Sequence, residues 1–215
     1  MKKTISVITL IPRSSRFYAE QVQALFRQWA QVHSYSTGDR SVEGIVESDL
    51  YLLSTDAFED AQEARRYVPS DGQVVEIQLT YPKQVIQDLK RIPRGTRVLF
   101  VNATRQMARE AITQLEQLGV NQIGFEPYGP DSPVPEGLDI AVTPDEAGFV
   151  PPGMKKVINI GHRPCTPGTM IEAAIRLGLE GLLEEKQFQN YMKTMASGNY
   201  SFDEMFARSR KMESR

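Results

Sequence analysis

Short runs of β-branched and leucine side chains alternate along this chain with stretches of helical periodicity, and that alternation restricts the fold more than any other feature. Thr4–Ile11 reads as a buried strand ended by Pro12, and a polar loop, Arg13-Ser14-Ser15-Arg16, leads into a helix over Phe17–Val32. Phe17, Val22, Leu25, Phe26 and Trp29 recur there at helical spacing, with Ser14 or Ser15 as the cap. A short strand near Val32–Tyr35, a weak helix over Val42–Val46 and the strand Asp49–Ser54 follow. Thr55-Asp56-x-x-Glu59 then opens a helix that Phe58–Tyr67 continues, before the strand Val74–Leu79 and the helix Tyr81–Ile92. Strand-then-helix order of this kind predicts an α/β fold, a parallel sheet covered by helices.

The pattern restarts at Arg97–Val101, the cleanest buried strand in the sequence. Asn102-Ala103-Thr104 follows, then a helix over Arg105–Leu118 stopped by Gly119. Further strands are expected at Gln122–Phe125, Leu138–Val142 and Val157–Ile160, with a helix from Thr169 to Leu177 and a last one over Leu182–Met195. Residues 93–96 therefore mark the expected boundary between a first lobe (1–95) and a second (96–180). Residues 181–215 form a carboxy-terminal helix and linker that either packs back on the first lobe or leads onward. The tail beyond Gly198 reads as that linker or as a final amphipathic helix. Between Glu126 and Met154 there are six acids, no lysine or arginine, and many prolines and glycines, so that stretch reads as two solvated loops around one strand.

Composition narrows the function classes. With 40% apolar and 24% charged residues in 215, the chain is of ordinary globular make-up. A net charge of −2 gives no basic stripe for direct nucleic-acid contact. One cysteine, Cys165, and two histidines, His33 and His162, exclude a disulfide framework and a cysteine- or histidine-rich metal centre. No apolar run reaches the length of a membrane span, and the lysine-led amino terminus lacks a signal-peptide cleavage site, so a cytoplasmic chain without a membrane partner is expected. The glycine patterns of dinucleotide-binding folds and phosphate-binding loops are missing, as is the acid cluster of receiver domains, so no cofactor is expected.

Ligands of open α/β sheets bind at the carboxyl ends of strands, over helix amino termini that offer free N–H groups. That rule selects Arg13 and Ser14 after the first strand, Ser54 after Asp49–Ser54, and Asn102 and Thr104 after Arg97–Val101. It also selects Gly161, His162 and Arg163 after the last strand, with Tyr128 added as a residue at a strand end. Hydroxyls, arginines and a histidine beside helix starts suit a carboxylate or phosphate. Ser15 and Thr169 read better as helix caps, and Arg13 as a solvated charge is the plainer alternative. Gly161-His162-Arg163 serves either to shape a turn or to bind. Cys165 near His162 looks like a nucleophile–base pair on paper, though Pro164 and Pro167 crowd that loop.

Three phrases taken together, VLFVNATRQMAREAITQLEQLGVNQIGFEPYGP, DIAVTPDE and VINIGHR, carry a resemblance. The chain resembles the amino-terminal sensory region of sigma-54-dependent transcriptional activators, in a form common in anaerobic Gram-positive bacteria. More distantly it is similar to the receptor domain of propionate-catabolism regulators. The resemblance implies two Rossmann-like or flavodoxin-like lobes with a cleft between them and a carboxy-terminal helical extension. It implies a regulatory domain, not an enzyme, that binds a small anionic metabolite and relays occupancy to downstream PAS and AAA+ ATPase modules. Because neither module is in the sequence, a sensor cut from a longer regulator, or a free-standing relative, is expected. Arg13 and Arg163 would neutralise the ligand, Asn102, Thr104, Ser14 and Ser54 would hydrogen-bond it, and His162 would confer pH dependence. Two other readings stand beside this one: a lyase or isomerase using His162 and Cys165, and a module that forms a homodimer through its carboxy-terminal helix.

Overall fold

The computed structural model describes residues 2–58 and 61–196. Among these, the chain forms two four-stranded parallel sheets and six α-helices, an α/β architecture of two Rossmann-like or flavodoxin-like units. One unit comprises residues up to Leu79 together with Pro164–Lys193, and the other comprises Thr80–Arg163 and the chain from Thr194.

In the first unit the strands are β1 (Lys3–Thr9), β2 (Ala30–Ser36), β3 (Leu50–Leu53) and β4 (Val74–Glu76), in the order β2-β1-β3-β4. The central strand β1 pairs on both sides, with Ile5 opposite Val32 and Leu50. Ile5, Val7 and Ile8 are completely buried, as expected of a strand covered on both faces. Helix α1 (Pro12–Phe26) lies against β1 and β2 and buries Tyr18, Ala19, Val22, Leu25 and Phe26. A short helix, α2 (Ala61–Ala64), follows β3.

In the second unit the strands are β5 (Arg97–Val101), β6 (Gly124–Tyr128), β7 (Ile140–Thr143) and β8 (Lys156–Asn159), in the order β6-β5-β7-β8. Strand β5 alternates between two cores. Val98 and Phe100 meet α3 (Lys83–Lys90) and α4 (Arg105–Gln117) through Leu89, Ala108, Ala111 and Leu115. Leu99 and Val101 face a second cluster with Tyr128, Leu138, Ala141, Val150 and Met154. The period of two along β5 thus divides its side chains between the two faces of its sheet.

The division between units falls at Leu79/Thr80 and not at residues 93–96, because α3 packs its Ile86 and Leu89 against β5 and α4 of the second unit. Helix α5 (Pro167–Arg176), expected in the second lobe, belongs to the first unit and packs on β4. There the hydroxyl of Thr169 accepts from Gln78 N–H at 3.1 Å. Of the two alternatives for the carboxy-terminal helix, packing back is what α6 (Lys186–Thr194) does: Phe188 meets Phe26 edge-on at 6.3 Å, and Gln187 donates to the Ala24 carbonyl. The segment ahead of it, Glu180–Glu184, is a 3-10 turn and no part of the expected continuous helix.

Helix α1 also departs from expectation. It begins at Pro12, so Arg13, Ser14, Ser15 and Arg16 are helical and not a loop. Proline at the first helical position starts a helix as readily as it ends a strand, since its missing N–H would have no helical partner anyway. Ile11 is the capping residue, without a side-chain bond, and Ser15 Oγ donates to the Pro12 carbonyl, so neither serine is the cap. Trp29 lies beyond the helix, 44% exposed, with its indole N–H on Glu185. The expected final amphipathic segment beyond Gly198 and the acid at Glu59 lie outside the described residues. No described helix is long and apolar enough to cross a membrane.

Candidate functional site

The selected residues divide into those placed apart or bonded within their own turns and one group that is built as a site. In the first unit Arg13 is exposed and Ser14 half-buried on the first turn of α1. Ser54 lies at the end of β3, where its hydroxyl donates to the Asp56 carboxylate and its N–H to the Ile8 carbonyl. The Ser54 contacts serve local structure. The β3 end is a single 3-10 turn, Thr55–Ala57, not the start of a long helix.

In the second unit the turn after β5 is closed from within. Asn102 is buried; its side-chain oxygen accepts from Ala103 N–H at 2.8 Å, and its own N–H donates to the Tyr128 carbonyl at 3.1 Å. Thr104 caps α4, its hydroxyl accepting from Met107 N–H at 3.1 Å. The Asp131 carboxylate sits at the same terminus, 3.3 Å from Arg105 N–H. A carboxylate there satisfies an unpaired donor and complements the positive end of the helix. Gly129 makes this approach achievable: a Cβ on it would stand 2.4 Å from Arg105 N and 2.5 Å from the Thr104 carbonyl carbon. The terminus expected to receive an external anion is thus faced by one from the chain itself. Tyr128 packs as a core residue with Leu99, Val101 and Leu138.

At the carboxyl ends of β7 and β8 the arrangement is different. Asn159, the last residue of β8, accepts at Oδ1 from the N–H groups of both Asp145 and Gly161, each at 2.9 Å. Its amide nitrogen donates to Asp145 Oδ1 at 3.0 Å. Thr143 is completely buried at the end of β7, where its hydroxyl accepts from Glu146 N–H and its carbonyl from Ile160 N–H. Asp145 takes a left-handed backbone, φ 68°, which few residues other than asparagine, aspartate and glycine adopt. The other Asp145 oxygen faces His162 Nε2 at 3.4 Å, with the imidazole 17% exposed. Gly161, at φ 73°, turns the chain so that His162 and Arg163 follow directly.

Arg163 is half-buried against the Tyr81 hydroxyl, which donates to the Ala111 carbonyl at 3.2 Å. Burial pushes the Tyr81 phenol up to about 12, and the charge and hydrogen bond of Arg163 act in the opposite direction. Gly161, His162 and Arg163 therefore come together on one turn, with a carboxylate, an amide and a phenol around them. Thr143, Asp145, Asn159 and Tyr81 were not selected from sequence. Asp145 follows Pro144 in a stretch that reads as solvated loop, and only the β7–β8 pairing brings it to Asn159.

Cys165 is completely buried, and burial pushes its thiol up to about 12. Its backbone is fixed on both sides, by N–H donation to Gln21 and by the Tyr191 hydroxyl donating to its carbonyl. A thiol so placed is a poor nucleophile, because the reactive form is the thiolate. Among the described residues no group of three or more His, Cys, Asp or Glu could hold a metal ion. Comparisons of the chain with protein-family models, with curated proteins and with solved structures find no match.

Proposed function

We propose that this chain is the small-molecule-sensing region of a cytoplasmic sigma-54-dependent transcriptional regulator, and that it binds an anionic metabolite at the turn carrying Gly161, His162 and Arg163. The observation behind this reading is the construction of that turn. Asn159 fixes two backbone N–H groups while Asp145 faces His162, so a cationic and a titratable side chain leave the strand ends on a braced support. The position, outside the carboxyl ends of parallel strands, is where sheets of this class bind ligands. Relay to a downstream ATPase follows from the family resemblance and requires that the ligand favour one arrangement of the chain over another.

A thermal-shift screen of small mono-, di- and tricarboxylic acids tests the binding step. At 100 times its Kd a ligand raises the free energy of unfolding by about 2.7 kcal/mol, a shift well above instrumental scatter. Arg163→Lys keeps the charge but loses the planar donor fork, and should weaken the best acid about tenfold. His162→Gln should alter the affinity while leaving the unliganded melting temperature near that of the parent. A screen without a single stabilising acid, or one whose hits ignore both substitutions, removes the assignment.

A further inference from the structure

Among the described residues of the second unit, α3 and α4 leave a groove on one sheet face beside β8. Helices α3 and α4 pack over β5 and its neighbours, but α5, which follows β8, belongs to the first unit instead of returning over β8. A groove of about 620 Å³ remains between α3 and the β7–β8 edge, lined by residues of the second unit alone. Its walls are Val85, Leu89 and Ile92 on the helix side and Ile140, Ile158 and Ile160 on the sheet side. The volume lies within the range of small-molecule sites, which are mostly apolar with a few polar groups setting orientation.

Those polar groups are not evenly spread. Helix α3 ends at Lys90 and leads through Thr96 into the start of β5, so Arg91, Pro93 and Thr96 lie at the amino end of the sheet. Lys156, the first residue of β8, opens the same end. At the far end stand Val85, in the first turn of α3, and Ile160, just past β8. The neighbouring Lys155 is held by Asp139 at 2.8 Å, whereas Lys156 makes no ion pair with a described residue. Arg91 is bound to Asp88 at 2.8 Å through one of its nitrogens. The Asp88 carboxylate lines the groove too and offsets Arg91, so the excess positive charge of this end is that of Lys156; the rest is apolar apart from Asn159 at the far end.

We infer that this groove binds an anionic amphiphile, a carboxylate with a straight or branched hydrocarbon body of about eight carbons, its head group at Lys156 and Arg91 and its tail along Ile140, Ile158 and Ile160. Asn159 and Ile160 at the far end adjoin the turn at Gly161–Arg163, whereas Lys156 and Arg91 lie at the opposite end, so binding at them does not require that the turn bind an acid.

Isothermal titration of the full chain with octanoate, 1-octanol and acetate tests it. Octanoate should bind, octanol should bind more weakly, and acetate should give no heat. Lys156→Glu, at an exposed position, should weaken octanoate about tenfold and leave octanol unchanged. Ile158→Trp should fill the groove and abolish both, with the circular dichroism spectrum of the parent retained; if that variant does not fold, the Lys156→Glu comparison decides alone. Octanoate no better than acetate, or octanoate indifferent to Lys156→Glu, overturns the inference. A parent that is dimeric by light scattering and becomes monomeric as Ile158→Trp also overturns it, since a second copy would then be the occupant. Arg163→Lys should leave octanoate binding unchanged, which separates this site from the proposed sensing turn.

Discussion

The two units share one strand order, with the first strand central and the second, third and fourth placed alike around it, yet they close the turn after that strand differently. In both, a glycine after the second strand lets the chain approach that turn closely. A Cβ on Gly38 would stand 2.5 Å from the Leu10 carbonyl, and one on Gly129 stands as close to the backbone leading into α4. In both, an aspartate follows that glycine. Asp39 is held low chiefly by the Ser41 hydroxyl and N–H, with the charge of Arg16 on α1 contributing last, while Asp131 accepts directly from the first N–H of α4. The helices then differ: α4 has its Thr104 cap, and α1 has Ile11 and a proline. One topological position has thus been filled by two sets of side chains, and in the second unit the carboxylate reaches the first N–H of the helix. In the second unit the helix start after the central strand is therefore already met by a carboxylate of the chain itself.

The comparison can be broken most sharply at the glycines. Gly129→Ala should destabilise the chain by about 3 kcal/mol in urea unfolding, because backbone atoms of Thr104 and Arg105 must move. Gly38→Ala should cost about 2 kcal/mol, one carbonyl being in the way. A near-neutral Gly129→Ala would mean that the two turns are not built alike. Next in size, Thr104→Ala should lose about 1 kcal/mol of stability, whereas Ser14→Ala should change it by less than about 0.5 kcal/mol, since α1 has no side-chain cap to lose. Asp131→Asn should cost about 0.5 kcal/mol at low ionic strength and less in salt, and a larger stabilisation of this variant by sulfate than of the parent would show the terminus opened to external anions.

The smallest effect concerns pH. Asp49, just before β3, accepts from Thr4 N–H at 2.8 Å and pairs with Lys3. That N–H first, and Lys3 after it, hold its carboxyl below the ordinary 3.8 against the opposing effect of burial. Its contribution is therefore complete above that value and lost as the pH falls through the depressed one. Unfolding curves of Asp49→Asn should converge on those of the parent as the solution is acidified below about pH 3.8 and separate above it.

Strand β5 was legible residue for residue, Arg97–Val101, because five consecutive side chains bounded by a threonine and an asparagine admit one reading. Helix α4 was legible too, but its cap was not: Thr104 was selected as a ligand contact, and its hydroxyl instead receives Met107 N–H. Pro12 was not, because proline marks both the end of a strand and the start of a helix, and only the packing of Tyr18, Val22 and Phe26 on the sheet chooses between them. Nor was the destination of α5, which depends on Thr166 and Thr169 meeting Gln78, about ninety positions earlier. For the candidate site, although β8 is a largely exposed edge strand, Val157–Ile160 reads as a buried one, which is why Gly161-His162-Arg163 stood out. Its bracing by Asp145 and Asn159 did not, because that bond exists only through the parallel pairing of β7 with β8.

The passage of the chain at Leu79/Thr80, Arg163/Pro164 and Lys193/Thr194 has a consequence for synthesis. On the ribosome the first unit starts first but lacks α5 and α6 until residue 193 has emerged, by which time β5 to β8, α3 and α4 of the second are already out. Domains generally fold as units as they leave the ribosome. The unit that holds the amino terminus is therefore completed late, and until then β4 waits with its Gln78 partners, Thr166 and Thr169, still unmade. A chain stopped at Arg163 would carry the described strands and α-helices of the second unit and an unfinished first one.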